Sequence, residues 1–122
     1  MQLANHQLLI SLPALEEIAS AKIPAPAAMR VAKALRLLRG AAADFNAGRQ
    51  KVIDELAKRD SAGKIVEENG TIPWADPAAA NAAMSALLIE TVDVDLAPIS
   101  PDVLGTAEVR PADLANLHWL FV

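Results

Sequence analysis

From Val31 to Leu56 apolar side chains return in alternating steps of four and three: Val31, Leu35, Leu38, Ala42, Phe45, Val52 and Leu56. Only Arg49 breaks the series. Such steps keep one face of a helix apolar, and their persistence over several turns makes a heptad-like stripe. Beside it runs a row of small residues seven apart, Ala27, Ala34, Ala41 and Gly48, which leaves room for a second helix to come close. The pattern predicts a long helix from about Pro26 to Asp60, with Pro26 suited to its first turn. A straight helix of that length spans roughly 52 Å, whereas a compact chain of this size is about 35 Å across. Either the helix breaks at Gly40 into a helical hairpin, or it projects and is covered by another chain. On the second alternative Val31, Leu35, Leu38, Ala41, Ala42, Phe45, Gly48, Val52 and Leu56 form an interface.

The flanking segments are shorter. "NHQLLISLPALEEIAS" reads as a helix capped by Asn5, with Leu8, Leu12, Leu15 and Ile18 at helical spacing and a kink or break expected near Leu12, ahead of Pro13. "AKIPAPA" is a stiff connector. Gly63 is placed to end the long helix in a left-handed cap. Asn69-Gly70 predicts a tight hairpin between 64–67 and 71–74. "DPAAANAAMSALLIE" is a helix capped by Asp76 with Pro77 first. In "ETVDVDLAPI" Val92, Val94 and Leu96 alternate with Asp93 and Asp95, as in a half-buried strand; "TAEV" is a candidate second strand. "RPADLANLHWLFV" closes the chain as a helix whose apolar end docks. The expectation is one α+β domain over residues 1–122, mainly helical, with a long central helix or helical hairpin, a small β element and a docked C-terminal helix.

Composition narrows the chemistry. The absence of Cys excludes disulfides, zinc–thiolate sites and thiol nucleophiles. No apolar run reaches the roughly 20 residues of a membrane span, so no membrane partner is expected. No basic residue precedes the first apolar stretch, so no signal peptide is expected and synthesis is assigned to the cytoplasm. Residues 1–39 carry five basic and two acidic residues, the remainder six basic and thirteen acidic, within a net charge of −4. Such asymmetry suits head-to-tail contact or a charged partner, although two solvated surfaces are its commoner cause.

The titratable residues form no catalytic signature. His6 and His118, the only histidines, lie far apart, and each reads as a surface residue before it reads as a metal ligand. Asp93 and Asp95 share a strand face and could hold Mg²⁺, but a solvated strand is the plainer account. No nucleophile elbow or phosphate loop is present. Arg30, Lys33, Arg36 and Arg39 spiral around their helix, so nucleic acid is not the expected partner. Arg36, Arg39 and Trp74 are the candidate contacts to another macromolecule, with Trp119 assigned to the core. No enzymatic activity and no cofactor are expected.

Several segments taken together, "LANHQLLISLPALEEIASAKIPAPAAMRVAKALRLLRG", "DSAGKIVEENG", "VDVDLAPI" and "RPADLANLHWL", resemble a family of short tailed-phage proteins known as a domain of unknown function. One departure is Arg110, which stands where the closing helix of such proteins has a capping Ser. The resemblance implies a phage or prophage origin and brings no catalytic residues. It implies synthesis in a host cytoplasm, then either a virion accessory or assembly role, with copies of itself and other phage proteins as partners, or a regulator that binds a host protein or nucleic acid.

Overall fold

The computed structural model describes residues 1–122 as strand β1 (Gln2–Ala4), helix α1 (Asn5–Ser20), helix α2 (Ala25–Leu56), helix α3 (Pro77–Ile89), strand β2 (Thr91–Asp93), a 3₁₀ turn (Pro101–Leu104) and helix α4 (Pro111–Asn116). The fold is α+β and mainly helical. A two-stranded antiparallel sheet, in which Leu3 stands opposite Val92, lies at the start of α1, and α2 is the long helix of the fold.

Helix α2 runs unbroken through Gly40 and Gly48 for 32 residues, about 48 Å. Neither a break at Gly40 nor a bare projecting tip occurs. The N-terminal half packs on α1 and on the C-terminal segment: Ala27, Val31, Ala34, Leu35, Leu38 and Ala42 join Leu8, Leu15, Ile18, Leu117, Leu120 and Phe121 in one buried cluster. The C-terminal half lies under α3 and the loop that precedes it. There Phe45, Ile53, Ala57 and Ala80 are buried outside the main cluster, as a thinner satellite core.

The row of small residues is filled from within the chain. Ala27 and Ala34 are fully buried, and a Cβ added at Gly48 would lie 3.2 Å from Leu87 Cδ1 of α3. The close approach that the sequence pattern requires is therefore made by helices of the same chain. The stripe predicted as an interface between chains is a core position for Val31, Leu35, Leu38, Ala42 and Phe45, while Ala41, Gly48, Val52 and Leu56 are half-buried. At Gly40 nothing lies within 4 Å of an added Cβ.

Helix α1 continues through Pro13 without a break. Proline removes the amide that would bond the Leu9 carbonyl. Both Leu9 and Pro13 face solvent, so water can take that carbonyl. Asn5 is not the cap. Ala4 occupies that position, its N–H donates to Gln7 Oε1 (3.1 Å), and Asn5 instead reaches α3, its Nδ2 donating to the Leu87 carbonyl (2.8 Å). For α3 the expected cap is present, with Asp76 Oδ1 accepting from the Ala79 N–H.

The loop between α2 and α3 keeps the predicted turn but not the predicted strands. Asn69 and Gly70 both take positive φ, and Glu68 and Thr71 exchange two 2.8 Å backbone bonds around them. Beyond that, single bridges join Ala57 to Trp74 and Arg59 to Ile65, so the residues just after α2 pair with the rest of the loop and no continuous strand forms. Gly63 has positive φ, but in a turn held by Asp60, since α2 has already ended at Leu56. Residues 106–109 form no strand. The closing helix is short, and the chain then runs as turns to Phe121, which bridges in parallel to Ile99.

Candidate functional surface

Residues 1–15 contain no Asp, Glu, Lys or Arg. In α1 this stretch is wound so that Leu8, Ser11, Ala14, Leu15 and Ile18 point into the protein. The opposite face carries His6, Leu9, Ile10 and Pro13, then Glu16 and Glu17, all exposed. Spacings of three and four put these residues on one side of the helix. Leu9 is 39% and Ile10 52% exposed, which makes the middle of the face apolar. A groove of about 440 Å³ between α1 and α4 extends it, with Ile10, Pro13 and Ala14 on one wall and Ala112 and Asn116 on the other.

The far end of that groove is charged and ordered. Arg110 holds Asp113 through two hydrogen bonds, Nε to Oδ2 at 3.0 Å and an Nη to Oδ1 at 3.3 Å, and lies 4.0 Å from Glu17. The hydrogen bond to Asp113 raises Arg110 above the ordinary guanidinium range, and the Asp113 and Glu17 charges act the same way. Thus Arg110, at the cap position of α4, fixes the first turn of that helix through Asp113 and not by accepting from its amides. Arg39 of α2 approaches Glu16 at 3.6 Å from the other side.

The groove is anchored from below by a buried polar link. Trp119 Nε1 donates to Ser11 Oγ (2.8 Å), which itself donates to the Asn116 carbonyl (3.3 Å). Ser11 is fully buried. This link ties α1 to the end of α4. It places Trp119 against the core, half-buried.

The other sequence candidates lie elsewhere. Arg36 is exposed on α2 and enters no ion pair, whereas Arg39 is held by Glu16. Trp74 lines a separate cleft beside α3. His118 contacts the Ala115 carbonyl at 3.0 Å and His6 stands on the α1 face, so the two histidines do not meet. Asp93 accepts from the Met1 amino group, and no cluster of three His, Cys, Asp or Glu residues could hold a metal ion. No helix is long and apolar enough to cross a membrane. Comparison of the chain with protein-family models, with curated proteins and with solved structures gives no match.

Proposed function

We propose that this chain is a non-enzymatic interaction protein of a tailed phage or prophage, a virion accessory or assembly component that acts by helix-mediated association of its own copies. The phage assignment rests on the resemblance of the sequence segments, and one observation supports the association: the outer face of α1 has no charged side chain over three turns, is apolar at its centre, and is uncovered by the rest of the chain. The association surface is thus moved from α2, whose stripe the chain fills itself, to α1.

A second copy fits this face in the antiparallel sense. Parallel pairing would set Glu16 and Glu17 against the same residues of the second copy, and like charges repel. Antiparallel pairing sets them beside the Gln2–His6 end, which has no acidic residue. A face one helix long lies at the small end of specific interfaces, so affinity is roughly micromolar. Sedimentation equilibrium tests this: the wild-type mass rises with concentration, and Ile10→Glu stays monomeric with unchanged helix content. A wild-type chain that remains strictly monomeric at high micromolar concentration overturns the reading. Fixed stoichiometry in purified particles, measured by mass spectrometry, supports the virion role.

The regulator reading rests on a different observation. Arg30, Lys33 and Arg36 stand exposed on α2 without ion pairs. It predicts recovery of one defined host protein from lysate, and its loss when Arg36 and Arg39 are neutralised.

A further inference from the structure

Arg49 stands in the apolar register of α2, between Phe45 and Val52, where the helix should face a core. The fold gives a reason. On the side where Arg49 projects, α2 borders an open cleft of about 440 Å³ whose other walls come from the loop before α3 and from α3 itself. Its apolar lining is Ile53, Ile72, Trp74 and Met84, and Arg49 and Glu67 stand at its edge. This is the satellite end of the molecule, where the core is thin.

Three features distinguish the cleft from an ordinary surface dent. First, its two charges are free: neither Arg49 nor Glu67 enters an ion pair with any residue. Second, the Trp74 indole N–H has no acceptor in the chain, whereas the other tryptophan donates to Ser11. Third, its floor joins an indole to three aliphatic or thioether side chains, Ile53, Ile72 and Met84, an apolar lining with few polar groups as in small-ligand sites. Met84 adds a side chain that reshapes around a guest.

The charges select the guest. A purely apolar molecule would use neither. An apolar acid would suit Arg49 but bring its charge toward Glu67, and an apolar amine would meet the converse problem at Arg49. A molecule that carries both charges on one side of an apolar body satisfies all three elements. We propose that the cleft binds a small zwitterion with an apolar side chain, a free apolar or aromatic amino acid. Arg49 faces the carboxylate with its planar fork, Glu67 faces the ammonium, and Trp74, Ile72 and Met84 take the side chain. This site is independent of the α1 face.

The chain has two tryptophans, so a ¹⁵N–¹H correlation spectrum holds two indole signals. Trp74→Phe assigns them, and Trp119, bonded to Ser11, is the internal reference. Titration with L-phenylalanine moves the Trp74 signal saturably with roughly millimolar affinity and leaves the Trp119 signal in place. 3-Phenylpropanoate, which lacks the ammonium, and phenethylamine, which lacks the carboxylate, each bind at least roughly ten-fold more weakly. Arg49→Gln and Glu67→Gln lose affinity to a similar degree while keeping the melting temperature and the Trp119 signal. Absence of a saturable shift with phenylalanine and leucine, equal binding of either stripped analogue, or unchanged affinity in both variants overturns the proposal.

Discussion

Replacing Gly40 and Gly48 by alanine separates two glycines that look alike in sequence. Each lies inside α2, where Gly costs about 1 kcal/mol relative to Ala. At Gly40 the new methyl meets nothing within 4 Å, so the whole gain is realised. Unfolding entropy near 2.1 cal/mol/K per residue gives roughly 0.26 kcal/mol/K for this chain. The melting temperature should therefore rise by about 4 °C. At Gly48 the methyl arrives 3.2 Å from Leu87 Cδ1 and 3.6 Å from Cδ2. The Leu87 tip must retreat by a few tenths of an ångström, and its cost cancels most of the gain, leaving a shift within about 1–2 °C of zero. In a Leu87→Ala background the obstruction is gone, and Gly48→Ala recovers the full gain. The double-mutant cycle then shows a coupling of about 1 kcal/mol. Gly48→Leu overpacks the contact and destabilises the chain by about 1–3 kcal/mol or more. Thermal melts followed by circular dichroism read every variant. Equal gains at Gly40 and Gly48, with a cycle that closes to zero, would show that α3 does not lie on α2 at this point and would refute the internal filling of the small-residue row.

Two further substitutions probe the polar anchors. Ser11→Ala removes the acceptor of Trp119 Nε1 and the donor to the Asn116 carbonyl; denaturant unfolding should lose about 1–3 kcal/mol, and tryptophan emission should shift as the indole loosens. Asn5 is buried, and its Oδ1 has no partner while Nδ2 serves Leu87. Asn5→Asp therefore puts an unpaired carboxylate against a carbonyl and costs about 3 kcal/mol at pH 7. Burial raises the folded-state pKa of that carboxyl above its unfolded value, so the native state binds more protons. The penalty should shrink as pH falls toward the ordinary carboxylate range and grow as pH rises; a penalty independent of pH between 3 and 7 would contradict the burial of this position.

What the sequence made readable follows the range of the forces involved. Periodicity and capping act within a few residues, so α2, α3 with Asp76, and the Asn69-Gly70 turn are visible in the chain itself. The stripe on α2 was readable as a covered face, but a pattern cannot say whether the cover comes from the same chain or another. That depended on Leu87 meeting Gly48 and on the last residues returning to α1, both contacts between distant segments. Strand β1 escaped notice because three residues carry too little alternation, and its partner β2 lies about ninety positions away. Pro13 misled for a related reason: its cost depends on whether the freed carbonyl is buried, and here it faces water. The α1 surface did have a sequence signal, fifteen residues without a charged side chain. Their significance depends on knowing that half of them point outward. Similarly, Arg49 was visible as an interruption, but its cleft appears only when the loop and α3 are in place.

Because the chain has no cysteine, single thiols can report directly on how two copies meet. In the antiparallel arrangement the two-fold axis passes near Ile10 and Pro13, which brings Ile10 of one copy close to Ile10 of the other. Glu17 is about six residues from the axis, so two such positions lie roughly 18 Å apart, beyond disulfide reach. Oxidation of Ile10→Cys at micromolar concentration should give a disulfide-linked dimer rapidly, and Glu17→Cys should remain monomeric. Failure of Ile10→Cys to cross-link, or cross-linking at Glu17→Cys at the same rate, would contradict association through the outer face of α1.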